Sequence, residues 1–172
     1  MKYNIQINQS NITWEAHQPE NNITGTVSFK QGNIKVLEGL IKEGFAQVDL
    51  TTIRITDSKL NIDQKQKLES HLKSADFFNV KEYPSAIFEL TEVKTSSGFT
   101  THVIIGNISI KGVMHKMEIP ANIIFEGDKV DLKAKFSIIR TKHNVDFMIE
   151  ESYGGKKILP EFDIEVHIVA MA

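Results

Sequence analysis

Arg140 is the residue in this chain best placed to do chemistry. It follows a run in which Val130, Leu132, Ala134, Phe136 and Ile138 alternate with Asp131, Lys133, Lys135, Ser137 and Ile139. That is the period-2 signature of a strand with one apolar face, and continuing the parity directs Arg140 to the apolar side. A guanidinium there is costly unless an anion, a carboxylate or several carbonyls meet it. Two readings follow. Arg140 holds the polar head of a ligand whose tail lies along Phe136 and Ile138, or it sits at the strand end paired with a protein carboxylate.

His71 is the second candidate. It shares a helical stripe with Leu68, Leu72 and Ala75 at i, i+3, i+4 and i+7, which turns it toward the body of the protein. There it is either a hydrogen-bond donor to a ligand head or a capping or core histidine. Phe77, Phe78, Tyr83 and Phe88 are expected to line an apolar entrance or to be simple core. Trp14, the only tryptophan, either plugs the closed end of a barrel or lines its cavity.

Signals of catalysis are sparse. The six histidines (His17, His71, His102, His115, His143, His167) show neither HxH nor HExxH spacing, so no metal is expected. There is no GxSxG elbow and no glycine-rich phosphate loop. Cysteine is absent, which removes disulfides, zinc-thiolate sites and thiol catalysis. No cofactor is expected.

The elements that must position these residues are strands. From Pro84 onward the alternation is regular: Ala86, Phe88 and Leu90 share one face, as do Met117, Ile119, Ala121, Ile123 and Phe125, and then Phe162, Ile164, Val166, Ile168 and Ala170. Upstream, Val27 and Phe29 share a face, and so do Ala46, Val48 and Leu50. Turns are expected at Gln31-Gly32-Asn33, Lys42-Glu43-Gly44, Ser96-Ser97-Gly98, Lys111-Gly112 and Glu126-Gly127-Asp128. One short amphipathic helix is expected over Asp63–Ser74, capped by Thr56-Asp57-Ser58.

About eight long strands with one apolar face must close or pair, because open edges and an exposed apolar face aggregate. The expected fold is therefore an all-β, eight-stranded antiparallel barrel, with one short helix and an aromatic loop near its mouth. Eight staves enclose either packed side chains or one small ligand.

The chain has 172 residues, with 41% hydrophobic and 24% charged residues, and no linker or repeat; it reads as one domain over 1–172. A net charge of −2 with both signs dispersed gives no footprint for nucleic acid. No run reaches the roughly 18 apolar residues of a membrane span, so stable membrane insertion is not expected. The first residues lack the apolar core of a signal peptide. The expected location is cytoplasmic, or periplasmic if the chain has been trimmed.

The chain resembles the YceI-like family, the polyisoprenoid-binding, lipocalin-like proteins of bacteria. Asp49-Leu50-Thr51-Thr52-Ile53, His71-Leu72-Lys73-Ser74-Ala75-Asp76-Phe77-Phe78 and Tyr83-Pro84-Ser85-Ala86-Ile87-Phe88 carry the likeness. Gly106 to Gly112 and Phe136-Ser137-Ile138-Ile139-Arg140-Thr141 continue it in family order. The resemblance implies an eight-stranded barrel around a long apolar cavity. It implies binding, without catalysis, of an extended amphiphile: a polyprenyl chain, an isoprenoid quinone or a fatty-acid-like lipid. It places His71, Phe77, Phe78, Phe88 and Arg140 at the ligand, and homodimers are usual in the family. Many members carry a secretion signal, and many have a glycine-and-histidine pattern where this chain has Asn21-Asn22-Ile23-Thr24-Gly25. The alternative function is a small enzyme or isomerase that uses His71 or Arg140 on a hydrophobic substrate.

Overall fold

The computed structural model describes residues 1–18, 22–146 and 158–172. Its strands are β1 (Lys2–Ile5), β2 (Asn11–His17), β3 (Asn22–Leu37), β4 (Leu40–Ile55), β5 (Ser85–Thr95), β6 (His102–Ile110), β7 (Val113–Glu126), β8 (Lys129–Ile139) and β9 (Glu161–Met171), with helix α1 (Ile62–Lys73) between β4 and β5. All pairings are antiparallel and the sheet closes through β3–β4. β1 and β2 form a single broken stave: both lie between β3 and β9, separated by a 3-10 turn at Ile7–Gln9. Nine segments therefore make the expected eight-stranded barrel, which leaves no long free edge.

The inward faces are those that alternation predicts. Leu132, Ala134, Phe136 and Ile138 on β8 stand opposite Ile168, Val166, Ile164 and Phe162 on β9, and all eight turn inward. Two turns differ from expectation. Gln31-Gly32-Asn33 lies inside β3, and Lys42-Glu43-Gly44 lies inside β4, where Glu43 pairs with Lys35 across the strands at 2.8 Å. The reversal is at Glu38-Gly39, with φ of 53° and 77°; this left-handed pair matches the twist of a two-residue hairpin. Gly32 serves close approach instead, since a Cβ there would stand 2.4 Å from Ile5 Cδ1 and 2.6 Å from the Phe45 carbonyl. Lys111-Gly112 is the turn expected, with φ of 53° and 76°.

The helix begins later than its expected cap. Asn61, not Thr56-Asp57-Ser58, is the N-cap: its side chain accepts from the Gln64 N–H while the Gln64 side chain accepts from the Asn61 N–H. Asp57 forms a local turn, accepting from the Lys59 N–H at 2.9 Å. Leu68 and Leu72 are buried against the barrel. Glu69 ties the helix to β4 by accepting from the Ile55 N–H at 2.8 Å.

β4 carries a wide bulge: between Ser28↔Asp49 and Thr26↔Arg54, two steps on β3 oppose five on β4. Asp49 holds it by accepting from both the N–H and the hydroxyl of Thr51. Thr52 accepts from the Ser28 N–H and donates to the Asp49 carbonyl. The bulge turns both Leu50 and Ile53 inward, and the Leu50 N–H binds the Pro84 carbonyl, which fixes the loop after α1. Among the described residues, no helix is long and apolar enough to cross a membrane.

Candidate ligand-binding cavity

The barrel encloses a cavity of about 220 Å³, far more than the ~10–15 Å³ that accommodates one water. Aliphatic and aromatic side chains from every stave line it, joined by Leu72 of α1 and Phe78 of the following loop. Among the described lining residues, the polar side chains besides the Trp14 indole are Asn33, Arg140 and His143; no carboxylate or hydroxyl lines it.

Six of the nine sequence-predicted positions line the cavity: Trp14, Phe78, Phe88, Phe136, Ile138 and Arg140. Glycines set two of these rings. Trp14 lies over Gly25, where a Cβ would stand 2.2 Å from Trp14 Cζ2. Phe88 lies over Gly106, where a Cβ would stand 2.5 Å from its Cζ. The Trp14 Nε1–H donates to the Thr26 carbonyl at 3.0 Å, and its ring stacks on Phe162 at 6.1 Å.

Arg140 opens a 3-10 turn (Arg140–His143) just past the end of β8. It is 1% exposed. Nε donates to the Leu159 carbonyl at 3.3 Å, Nη2 to the Ile158 carbonyl at 2.8 Å, and Nη1 to the Val145 carbonyl. Its Cζ lies 4.9 Å from the centre of the Phe77 ring. The partner is thus a cradle of carbonyls and an aromatic face, not a carboxylate; among the described residues no ion pair reaches it. Burial lowers the guanidinium pKa from its ordinary value, with Asp146 opposing, and arginine stays protonated through such shifts.

Three predicted residues stand outside the lining. Phe77 is fully buried, between His71 at 5.9 Å and Phe78 at 5.2 Å, with its face toward Arg140. It supports the guanidinium rather than facing the cavity. His71 sits behind Phe77, and burial lowers its pKa while Asp76 opposes. Tyr83 is partly exposed and packs on the turn at Gly112, 3.2 Å from where a Cβ would stand. The helical stripe does direct His71 inward, but the loop that follows inserts Phe77 between it and the barrel.

His143 is a lining residue that the sequence reading passed over. It is buried, and its Nδ1 is 2.8 Å from the Val113 carbonyl. Its ring meets His115 edge-on at 5.0 Å, and His115 Nε2 reaches the Lys142 carbonyl at 2.7 Å. The two histidines fasten the Arg140 turn to β7. Burial lowers the His143 pKa, the Val113 carbonyl opposes, and His115 and Lys142 add to the lowering. The available signal was its spacing: residues i and i+3 of a 3-10 turn eclipse one another, so Arg140 and His143 face the same way.

On the outer surface, Glu15, His17 and Asp163 gather closely enough to hold a cation. Hydrogen bonding explains the cluster without one. The Asn22 amide nitrogen donates to Glu15 and the Asn22 Oδ1 faces His17 Nδ1 at 3.1 Å, while His17 Nε2 faces Asp163 at 2.8 Å. Both ring nitrogens face acceptors, the arrangement of an imidazolium. The bond to Asn22 is the main influence raising the His17 pKa, and Ser137 and His17 lower that of Asp163. The His17 contribution is present below about pH 6.5 and lost as pH rises through the raised folded value. The Asp163 contribution is present above about pH 3.9 and lost as pH falls through the lowered one. We expect wild type to lose stability relative to His17→Gln between pH 6 and 8.5, by under about 1 kcal/mol at so exposed a site. Parallel denaturation midpoints over that range would refute the pairing.

Residues 3–170 match the family model described as the YceI-like domain. A UPF0312 protein of Azotobacter vinelandii is 33% identical over 101 residues, covering 58% of this chain and 52% of that protein. One from Pectobacterium atrosepticum is 27% identical over 136 residues, covering 78% and 63%. The matched region thus spans about half the length of the first of these curated relatives. Among solved structures, Burkholderia cenocepacia BcnA superposes with a TM-score of 0.79 at 18% identity, covering 97% of this chain and 99% of that one. A polyisoprenoid binding domain from Saccharophagus degradans, implicated in plant cell wall breakdown, superposes at 0.77 with 10% identity, covering 99% and 98%. At such identities these structures bear on the fold, whereas the family model spans nearly the whole barrel. The chain belongs to the YceI-like domain family.

Proposed function

We propose that the barrel binds one long amphiphile, a polyisoprenoid, isoprenoid quinone or fatty-acid-like lipid, and holds it chemically unchanged. The observation that carries this reading is an apolar cavity with its cationic residue at one end. Apolar walls favour a hydrocarbon tail. The buried guanidinium, without a carboxylate at ion-pair distance among the described residues, favours a head that accepts hydrogen bonds: carboxylate, phosphate or quinone carbonyl. The polyisoprenoid-binding domain of Saccharophagus degradans, which has the same fold, supports the tail class.

Catalysis would require acid–base or nucleophilic groups at the substrate. The described lining offers a guanidinium, an amide and a histidine already engaged with a backbone carbonyl. The test is native mass spectrometry of the purified protein, followed by organic extraction. The expected result is one amphiphile per chain, recovered intact after prolonged incubation. An empty protein that takes up no added quinone, polyprenol or fatty acid overturns binding. A ligand recovered chemically altered moves the reading to an enzyme.

A further inference from the structure

We propose that the end of the barrel away from Arg140 is a length stop, so that the cavity selects tails of about sixteen extended carbons, or about four isoprene units. This rests on the lipid-binding reading and adds a ruler to it.

The two ends of the cavity differ. At one end stand Arg140, His143 and Phe78. Toward the other, β8 contributes Leu132 as its last lining residue, and the next inward residue, Val130, is fully buried against its β9 partner Ala170, which is also fully buried. Tyr3 closes over them. It pairs with Ile34 of β3, and its hydroxyl donates to the Gly127 carbonyl of the β7–β8 turn at 3.3 Å. Ile123 of β7 packs in the same cluster. Tyr3, Ile123, Val130 and Ala170 are buried without lining the cavity, so this end is filled by packed side chains.

Strand geometry sets the distance. Leu132 to Arg140 is eight steps on a nearly continuous stave, roughly 27 Å along the strand and about 20 Å along the axis of a barrel with strands tilted near 40°. An extended hydrocarbon with ~1.5 Å bonds advances about 1.25 Å per carbon, which gives about sixteen carbons between head and stop. A longer tail must fold back or leave part of its length in water. Each methylene within the ruler gains the full transfer energy, and each one beyond it gains little.

The test is calorimetric titration of the delipidated full chain with saturated fatty acids of about ten to about twenty-four carbons, bracketing that length. Affinity is expected to rise about fourfold per added methylene up to about sixteen carbons and then to flatten. Tyr3→Ala, which opens the stop, moves the break to longer acids. Ile41→Phe, which adds bulk to a lining position on the β3–β4 hairpin near that end, moves it to shorter ones. Tyr3→Phe keeps the ring and leaves the break in place. If Tyr3→Ala fails to fold, the opposite shift in Ile41→Phe still decides the matter. Affinity that climbs through the whole series, or a break that stays put in the folded variants, overturns the ruler while leaving lipid binding intact. Absence of binding at every length, for the fatty acids and equally for an added polyprenol and an isoprenoid quinone, overturns the lipid reading itself and the ruler with it.

Discussion

Arg140→Ala lowers the stability of the free protein by about 3–5 kcal/mol, the range for removing one partner from a buried charged network. The variant strips donors from the carbonyls of Val145, Ile158 and Leu159 and removes the cation above Phe77. Each carbonyl left unmet in a buried site costs about 1–3 kcal/mol, and partial hydration of the loop brings the sum down to the stated range. Arg140→Lys restores the charge but not the planar fork, so it recovers only part of the loss. Urea denaturation of the delipidated protein measures this directly. A change under about 1 kcal/mol would show that the cradle rehydrates freely and that Arg140 is held for ligand alone. Binding is a separate readout: the folded fraction should lose about 1–3 kcal/mol for an amphiphile with an accepting head and little for a headless hydrocarbon.

Phe88→Asp abolishes the native barrel at neutral pH. Phe88 lies on the inner face of β5, opposite Ala46 and Ile108, with its ring seated over Gly106. Phe88 is partly buried, packed against the core and lining the cavity, so losing its ring costs toward the lower end of the about 3–5 kcal/mol found for a fully buried phenylalanine. A carboxylate at the same place faces an apolar wall, and it must either ionise without a partner or remain protonated far above its ordinary pKa. Together these consume most of the ~5–15 kcal/mol that holds a domain of this kind. The expected result is a chain that is insoluble or lacks a cooperative unfolding transition at pH 7, while Phe88→Leu keeps the fold with a cost below about 1.5 kcal/mol. A cooperative transition at the wild-type midpoint in Phe88→Asp would mean that the residue faces water.

Much of the barrel is legible in the chain because alternation is local. Each residue's face follows from its neighbours two positions away, so the inner sides of β5, β7, β8 and β9 could be assigned without knowing which strands pair. Glycine was ambiguous for a physical reason. The same residue type serves a reversal, as at Gly39 and Gly112, and close approach of backbone or rings, as at Gly32, Gly25 and Gly106. Only the identity of the neighbouring strand separates the two uses, which is why turns were expected at 31–33 and 42–44.

The polar groups divide the same way. Strand parity pointed Arg140 inward, and helical periodicity pointed His71 toward the barrel. What each one meets depends on segments distant in sequence. Arg140 is answered by carbonyls up to nineteen residues away, His71 is screened by Phe77, and His143 reaches the cavity because a 3-10 turn follows β8. The pairing of His17 with Asp163, 146 residues apart, likewise exists only once β2 lies against β9. By itself the sequence determined an eight-stave barrel with an apolar interior and a cation at its end, because short-range periodicity encodes which way a side chain points. Tertiary structure alone decided which polar groups meet, which aromatics line the cavity and where it stops, because those depend on contacts between strands that no local pattern specifies.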